Sequence, residues 1–163
     1  MTVGSQPSLS GFISFLGVLN VPATAGFSPT TDPTVTWCYD AALQTVNCGL
    51  QAVPAVPGAW SQYARAVYFL AADFLVGWEQ DPPSPALYKD NLPYWAWLRQ
   101  QYGVNNFVAG VVNSTSDEGT SMGLTVPEAF SAYTIANLQN LKTPYGRAYL
   151  GIAQSWGTQW GMS

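Results

Sequence analysis

Apolar residues recur every three to four positions over much of the chain, which is the period of one helix face. Leu9, Phe12, Ile13, Phe15, Leu16 and Leu19 predict a first short helix, with Phe12, Leu16 and Leu19 on one stripe and Ser8 or Ser10 as its cap. Residues 22–33 are rich in Pro, Thr, Gly and Ser and read as a loop. Asp32-Pro33 then has the form of an N-cap followed by proline at the first helical position. The helix it opens is expected over 34–47, with Val35, Tyr39, Ala42, Leu43 and Val46 inward and Gly49 at its end. A second loop, 52–58, carries Pro54 and Pro57. The clearest helix is 60–78. Tyr63, Val67, Leu70, Phe74 and Gly77 follow helical spacing, and Ala64, Ala66, Ala71 and Ala72 leave room for close packing. Arg65, Phe69 and Asp73 share another side of it. Asp73 is open to three readings: a pair with an arginine, a cap on a neighbouring element, or a partly exposed carboxylate.

Asp81-Pro82-Pro83-Ser84-Pro85 stops this helix. A loop or short helical turn around Leu87 and Tyr88 follows, then a helix over 93–102 ended by Gly103. Its Tyr94, Trp95 and Trp97 form an aromatic cluster of the kind found in cores and subunit interfaces. Two β-like runs, 107–112 and 122–126, flank a polar stretch carrying Asp117, Glu118 and Gly119, and together predict a β-hairpin. A helix is expected over 127–141, with Phe130, Ala132, Tyr133, Ala136, Leu138 and Leu141 on its apolar faces. Lys142-Thr143-Pro144-Tyr145-Gly146 reads as a break, and 147–156 as one more short helix. The predicted fold is mainly α: a small helical bundle with an inserted β-hairpin and an extended C-terminal tail. Residues 1–163 form one domain, with a helical core over about 34–141, the hairpin over about 107–126 and the tail over about 155–163.

Composition narrows the functions. Of 163 residues only 9% are charged, against about 25% in an ordinary soluble domain. Net charge is −4. The five cations are Arg65, Lys89, Arg99, Lys142 and Arg147, too few for the basic stripe of a nucleic-acid binder or an anchor to anionic lipid. With no histidine, histidine triads, histidine metal sites and histidine proton shuttles are excluded. A surface poor in Lys and Glu and rich in Trp and Tyr has the composition of interface, which predicts ordered homo-assembly. Cys38 and Cys48 are too few for a structural zinc site, and buried thiols are preferred to a disulfide. The uncharged stretch 9–27 contains Ala23-Thr24-Ala25, but no basic residue precedes Arg65, so it lacks the n-region of a signal peptide. Asn113-Ser114-Thr115 matches a glycosylation sequon, a tripeptide common by chance. No apolar run of membrane-spanning length is present.

Chemistry is sparse. There is no phosphate-binding G-x-x-x-x-G-K-[ST] loop and no G-x-S-x-G elbow. Asp40, Asp73, Glu79, Asp81, Asp90, Asp117, Glu118 and Glu128 are the candidates for paired-carboxylate catalysis. Most fall in loops or at helix ends, where caps and solvated carboxylates belong. The expectation is no catalytic residue, no metal and no cofactor. A carboxylate-based enzyme and a helical protein-binding module outside any particle are the alternatives.

Helices, then a hairpin, then a helix leading into Thr143-x-Tyr145-Gly146-x-x-Tyr149 is an order that resembles the head-to-tail connector, or adaptor, proteins of tailed bacteriophages. The Ala-rich helix 65–78 adds to the match, which covers the latter two-thirds of the chain. Residues 81–102 look like an insertion relative to that family, and the tail is aromatic and uncharged. The resemblance implies a non-catalytic virion protein at the head–tail junction, made in the host cytoplasm. It implies a homo-oligomeric ring, usually of twelve copies, beneath the portal protein. Such a ring extends the channel for genomic DNA without binding it specifically and offers a platform to the next neck or tail protein, with no membrane involved. An acidic chain suits such a channel, because like charge suppresses phosphate contacts.

Two segments then become candidate contacts. In the tail, Trp156, Gly157, Trp160, Gly161 and Met162 place two indoles four residues apart between glycines, a pattern suited to docking on the portal side. In the hairpin, Val111, Asn113, Asp117, Glu118, Met122 and Leu124 are expected to meet neighbouring subunits, since a hairpin alone is marginally stable.

Overall fold

The structure, a computed structural model, describes residues 6–18, 26–52, 60–83, 85–106, 115–117, 120–122 and 139–155. It is mainly helical. Among the described residues five α-helices, α1 (Leu9–Val18), α2 (Pro33–Thr45), α3 (Gln62–Trp78), α4 (Tyr94–Gln101) and α5 (Pro144–Gln154), build one apolar core. Helix α3 is its centre and packs against α1, α2, α4 and α5.

Local sequence explains where most helices start. The Asp32 carboxylate accepts from Thr34 N at 2.9 Å and Pro33 opens α2. Ser61 caps α3 by accepting from Ala64 N at 3.0 Å, so Trp60 lies outside the helix it was expected to begin. On α3, Tyr63, Val67 and Leu70 are buried as their spacing predicts. Phe74 is half-buried, and Gly77 is exposed, not inward as expected. Helix α1 buries Phe12, Phe15 and Leu16, and α5 buries Tyr149, Leu150 and Ala153. The core thus extends on both sides of the 34–141 stretch.

Of the two readings of the stretch around Leu87 and Tyr88, the loop is the one observed. Lys89 and Leu92 form an antiparallel bridge across Asp90 and Asn91, whose φ values are +53° and +57°. Two successive positive φ angles are what a type I′ hairpin turn requires, and Asp and Asn tolerate them. Cys38 is buried, but Cys48, in a 3₁₀ turn over Cys48–Ala52, is exposed; both thiols are free. Within the segment 81–102, Tyr94, Trp95 and Leu98 of α4 belong to the core.

In the hairpin region, β1 (Thr115–Asp117) and β2 (Thr120–Met122) pair antiparallel, with Thr115 opposite Met122, Ser116 opposite Ser121 and Asp117 opposite Thr120. The pairing lies in the polar stretch expected to be the turn and reaches Met122, the first residue of the second expected run. The apolar flanks 107–112 and 123–126 lie outside the described residues, as does 127–138 of the helix expected after them.

Candidate functional site

The residues that carry the family resemblance meet at the joint between α3 and α5. Helix α5 begins earlier than its expected start at residue 147, because Thr143-Pro144 is a second cap-plus-proline pair. Thr143 Oγ1 accepts from Gly146 N at 2.9 Å, and Pro144 occupies the first turn. Gly146, which reads as a breaker in sequence, lies inside the first turn. A Cβ there would sit on the Asn140 carbonyl oxygen and press on Asp73 Oδ1. Glycine is required for that approach, not to end a helix.

The Thr143 hydroxyl also donates to Asp73 Oδ1 on α3. Both side chains are buried. Among the described residues Asp73 is not ion-paired, and it is not partly exposed; it accepts from Thr143, the residue that caps a neighbouring helix, which is nearest to the second of its three readings. Burial pushes its carboxyl up from 3.8 to about 6, against the opposing pull of the Thr143 bond and the Lys142 charge. The positive end of α5 lies beside this carboxylate and favours its charged form. Tyr145 packs edge-on to Tyr102, ring centroids 6.2 Å apart. Burial raises the Tyr145 phenol strongly, with the Tyr102 hydroxyl adding to the effect. Tyr149, on the buried side of α5, is raised by burial alone.

A groove of about 240 Å³ opens beside the joint, lined among others by Phe74, Trp78, Val104, Asn140 and Lys142. It holds one carboxylate, Asp73, already engaged by Thr143. A second groove, about 300 Å³, is lined by Leu92, Ala96, Gln100, Gly103 and Asn105 and holds no carboxylate. Paired-carboxylate chemistry needs two acids facing one cleft, and neither groove supplies them.

Asp81 and Asp90 among the other candidate acids have visible structural roles. Asp81 accepts from Trp95 N and Ala96 N, each at 3.0 Å, and so caps α4 from beyond its proline-rich approach. Arg99 lies 3.8 Å from Asp81 and donates to the Val76 and Glu79 carbonyls at the end of α3, at 3.2 and 2.6 Å. Glu79 is buried there. Its Oε1 accepts from Gln80 N at 3.2 Å, while Oε2 has no hydrogen-bond partner among the described residues. Burial, then the nearby Asp32, raise its pKa. Asp90 belongs to the tight turn and Asp40 is exposed on α2. Glu128 lies outside the described residues.

Of the expected contact residues, Asp117 and Met122 lie in β1 and β2. Val111, Asn113, Glu118 and Leu124, with the tail residues Trp156, Gly157, Trp160, Gly161 and Met162, lie outside the described residues. Sequence reasoning missed an exposed aromatic ladder. Trp78 stacks on Phe74 and meets Trp37 of α2, both at 4.6 Å between ring centroids. Its only sequence signal is Phe74 and Trp78 four apart on one helix.

Among the described residues no three His, Cys, Asp or Glu side chains are placed to hold a metal ion, and no helix is long and apolar enough to cross a membrane. Comparison with protein-family models, with curated proteins and with solved structures finds no match.

Proposed function

We propose that this chain is a head-to-tail adaptor of a tailed bacteriophage, a structural subunit that forms a ring below the portal, lengthens the DNA channel and seats the next neck or tail protein. The observation that carries the reading is the α3–α5 joint. The two parts of the resemblance, the Ala-rich helix and the Thr143-x-Tyr145-Gly146-x-x-Tyr149 motif, are far apart in sequence yet pack on one another. The motif residues do architectural work there: a cap, a close approach and two packed tyrosines. A mainly helical fold, the use of Asp32, Asp73 and Asp81 at helix starts and a low content of charge agree with a role made of contacts. In this reading the tail 155–163 docks on the portal side and the hairpin 107–126 meets adjacent copies.

The reading is tested by assembling particles without the chain. DNA-filled heads that lack tails, restored by adding the purified protein, are the expected result. Tailed, infectious particles formed without it would overturn the assignment.

A further inference from the structure

Helix α3 carries two different exposed aromatic patches. Near its C-terminal end, Trp37 and Trp78 are 60% and 40% exposed, and the ladder they form with Phe74 reaches the surface. Asp40, exposed and three residues after Trp37 on α2, adds a carboxylate to this patch. Near the N-terminal end, Trp60 is 39% exposed and packs edge-on to Phe15 and Tyr68, at 5.8 and 5.3 Å. Phe69 continues that cluster, edge-on to Phe15 at 5.5 Å. Arg65, exposed and four residues before Phe69, adds a guanidinium. Neither Asp40 nor Arg65 is in an ion pair among the described residues.

The two patches differ in position and in the exposed charge beside them, Asp40 next to Trp37 and Arg65 next to Phe69, while Lys142, half-buried, lines the groove beside Phe74 and Trp78. The 13 steps from Arg65 to Trp78 span about 20 Å along the axis and bring the side chain to roughly 140° from its start around the helix. An isologous dimer through one of these patches buries that patch on both copies, and so brings together two surfaces that carry the same exposed charge. A head-to-tail contact sets unlike charges together and, when its rotation closes, makes a ring. Tryptophans are among the usual anchors of such contacts.

On the ring reading above, we infer that the Trp37–Trp78 patch of one copy docks on the Trp60–Phe69 patch of the next, with Asp40 facing Arg65 across the contact. The partner is a second copy of this chain, and the contact is heterologous.

The test is zero-length carbodiimide cross-linking of the full-length Arg65→Lys protein, which keeps the charge and supplies an amine. Mixing ¹⁴N- and ¹⁵N-labelled protein at high concentration distinguishes links between copies from links within one. The expected product is a mixed-isotope link between Asp40 and the amine introduced at position 65, with a ladder of oligomers. Trp37→Ser should weaken self-association at least about tenfold, as loss of a central anchor does, with unchanged circular dichroism. Asp40→Arg and Arg65→Asp should each do the same, and the double reversal should restore assembly. Absence of the mixed link, links from the introduced amine to other carboxylates only, or no rescue in the double reversal would each overturn the contact. Particles that carry the chain at the tail vertex without this link would reject these faces and leave the adaptor reading standing. A link in solution with no chain in particles would do the reverse.

Discussion

The Thr143 hydroxyl donates to Asp73 across 70 residues of sequence while accepting from the Gly146 N–H, so one oxygen both starts α5 and ties it to α3. Removing it acts twice. Thr143→Val should cost roughly 2–3 kcal/mol, from the lost cap and the unpaired buried carboxylate together. Thr143→Ser, which keeps the hydroxyl, should cost less than about 1 kcal/mol. Urea unfolding of the two variants checks this; equal losses would show that the hydroxyl is not the link.

Gly146 and Gly151 lie on the same helix and should respond oppositely to alanine. At Gly151 a Cβ meets open space, so Gly151→Ala should stabilise by about 0.5–1 kcal/mol through helix propensity. At Gly146 the same change drives a methyl into the Asn140 carbonyl and should destabilise by about 2 kcal/mol or more. A thermal shift of the same sign for both would refute the close approach.

The pH dependence has a definite sign. Asp73 holds its proton more tightly folded, near pH 6, than at its ordinary value of 3.8. Its contribution is fully present below about pH 4 and is lost as pH rises through about 6, a change on the order of 2–3 kcal/mol. Glu79, also raised by burial, acts in the same direction. Wild type should therefore lose more stability than Asp73→Asn between about pH 4.5 and 7.5. Parallel urea midpoints for the two proteins over that range would contradict the assignment.

What could be read along the chain was local. Asp32-Pro33, the alanines of α3 and the tryptophans of α4 announce their helices because caps and periodicity act within a turn or two. Thr143-Pro144 carries the same start signal, yet Gly146 hides it: that glycine answers to the Asn140 carbonyl, a tertiary contact with no local trace. The turn at Asp90-Asn91 was obscured for a related reason, since the apolar Leu87-Tyr88 before it mimics helix. The partnership of Asp73 with Thr143, and that of Trp37 with Trp78, depend on which helices become neighbours, and no spacing within either segment encodes that.

On the adaptor reading, the tail docks on a partner and is not needed by the core. Ala153 is buried on α5, which ends at Gln154. Deleting 156–163 should leave helicity and Tm nearly unchanged while abolishing attachment to DNA-filled heads. An unfolded truncation would make the tail part of the core, and normal particle yield would remove it from docking.

The central claim, a ring subunit at the head–tail junction, is tested most directly by electron microscopy of particles that contain the chain. The account predicts a ring of copies, twelve in the family's usual arrangement, directly beneath the portal, with density that fits the α1–α5 core. Particles in which that position is filled by other proteins, with the chain elsewhere or absent, would contradict it.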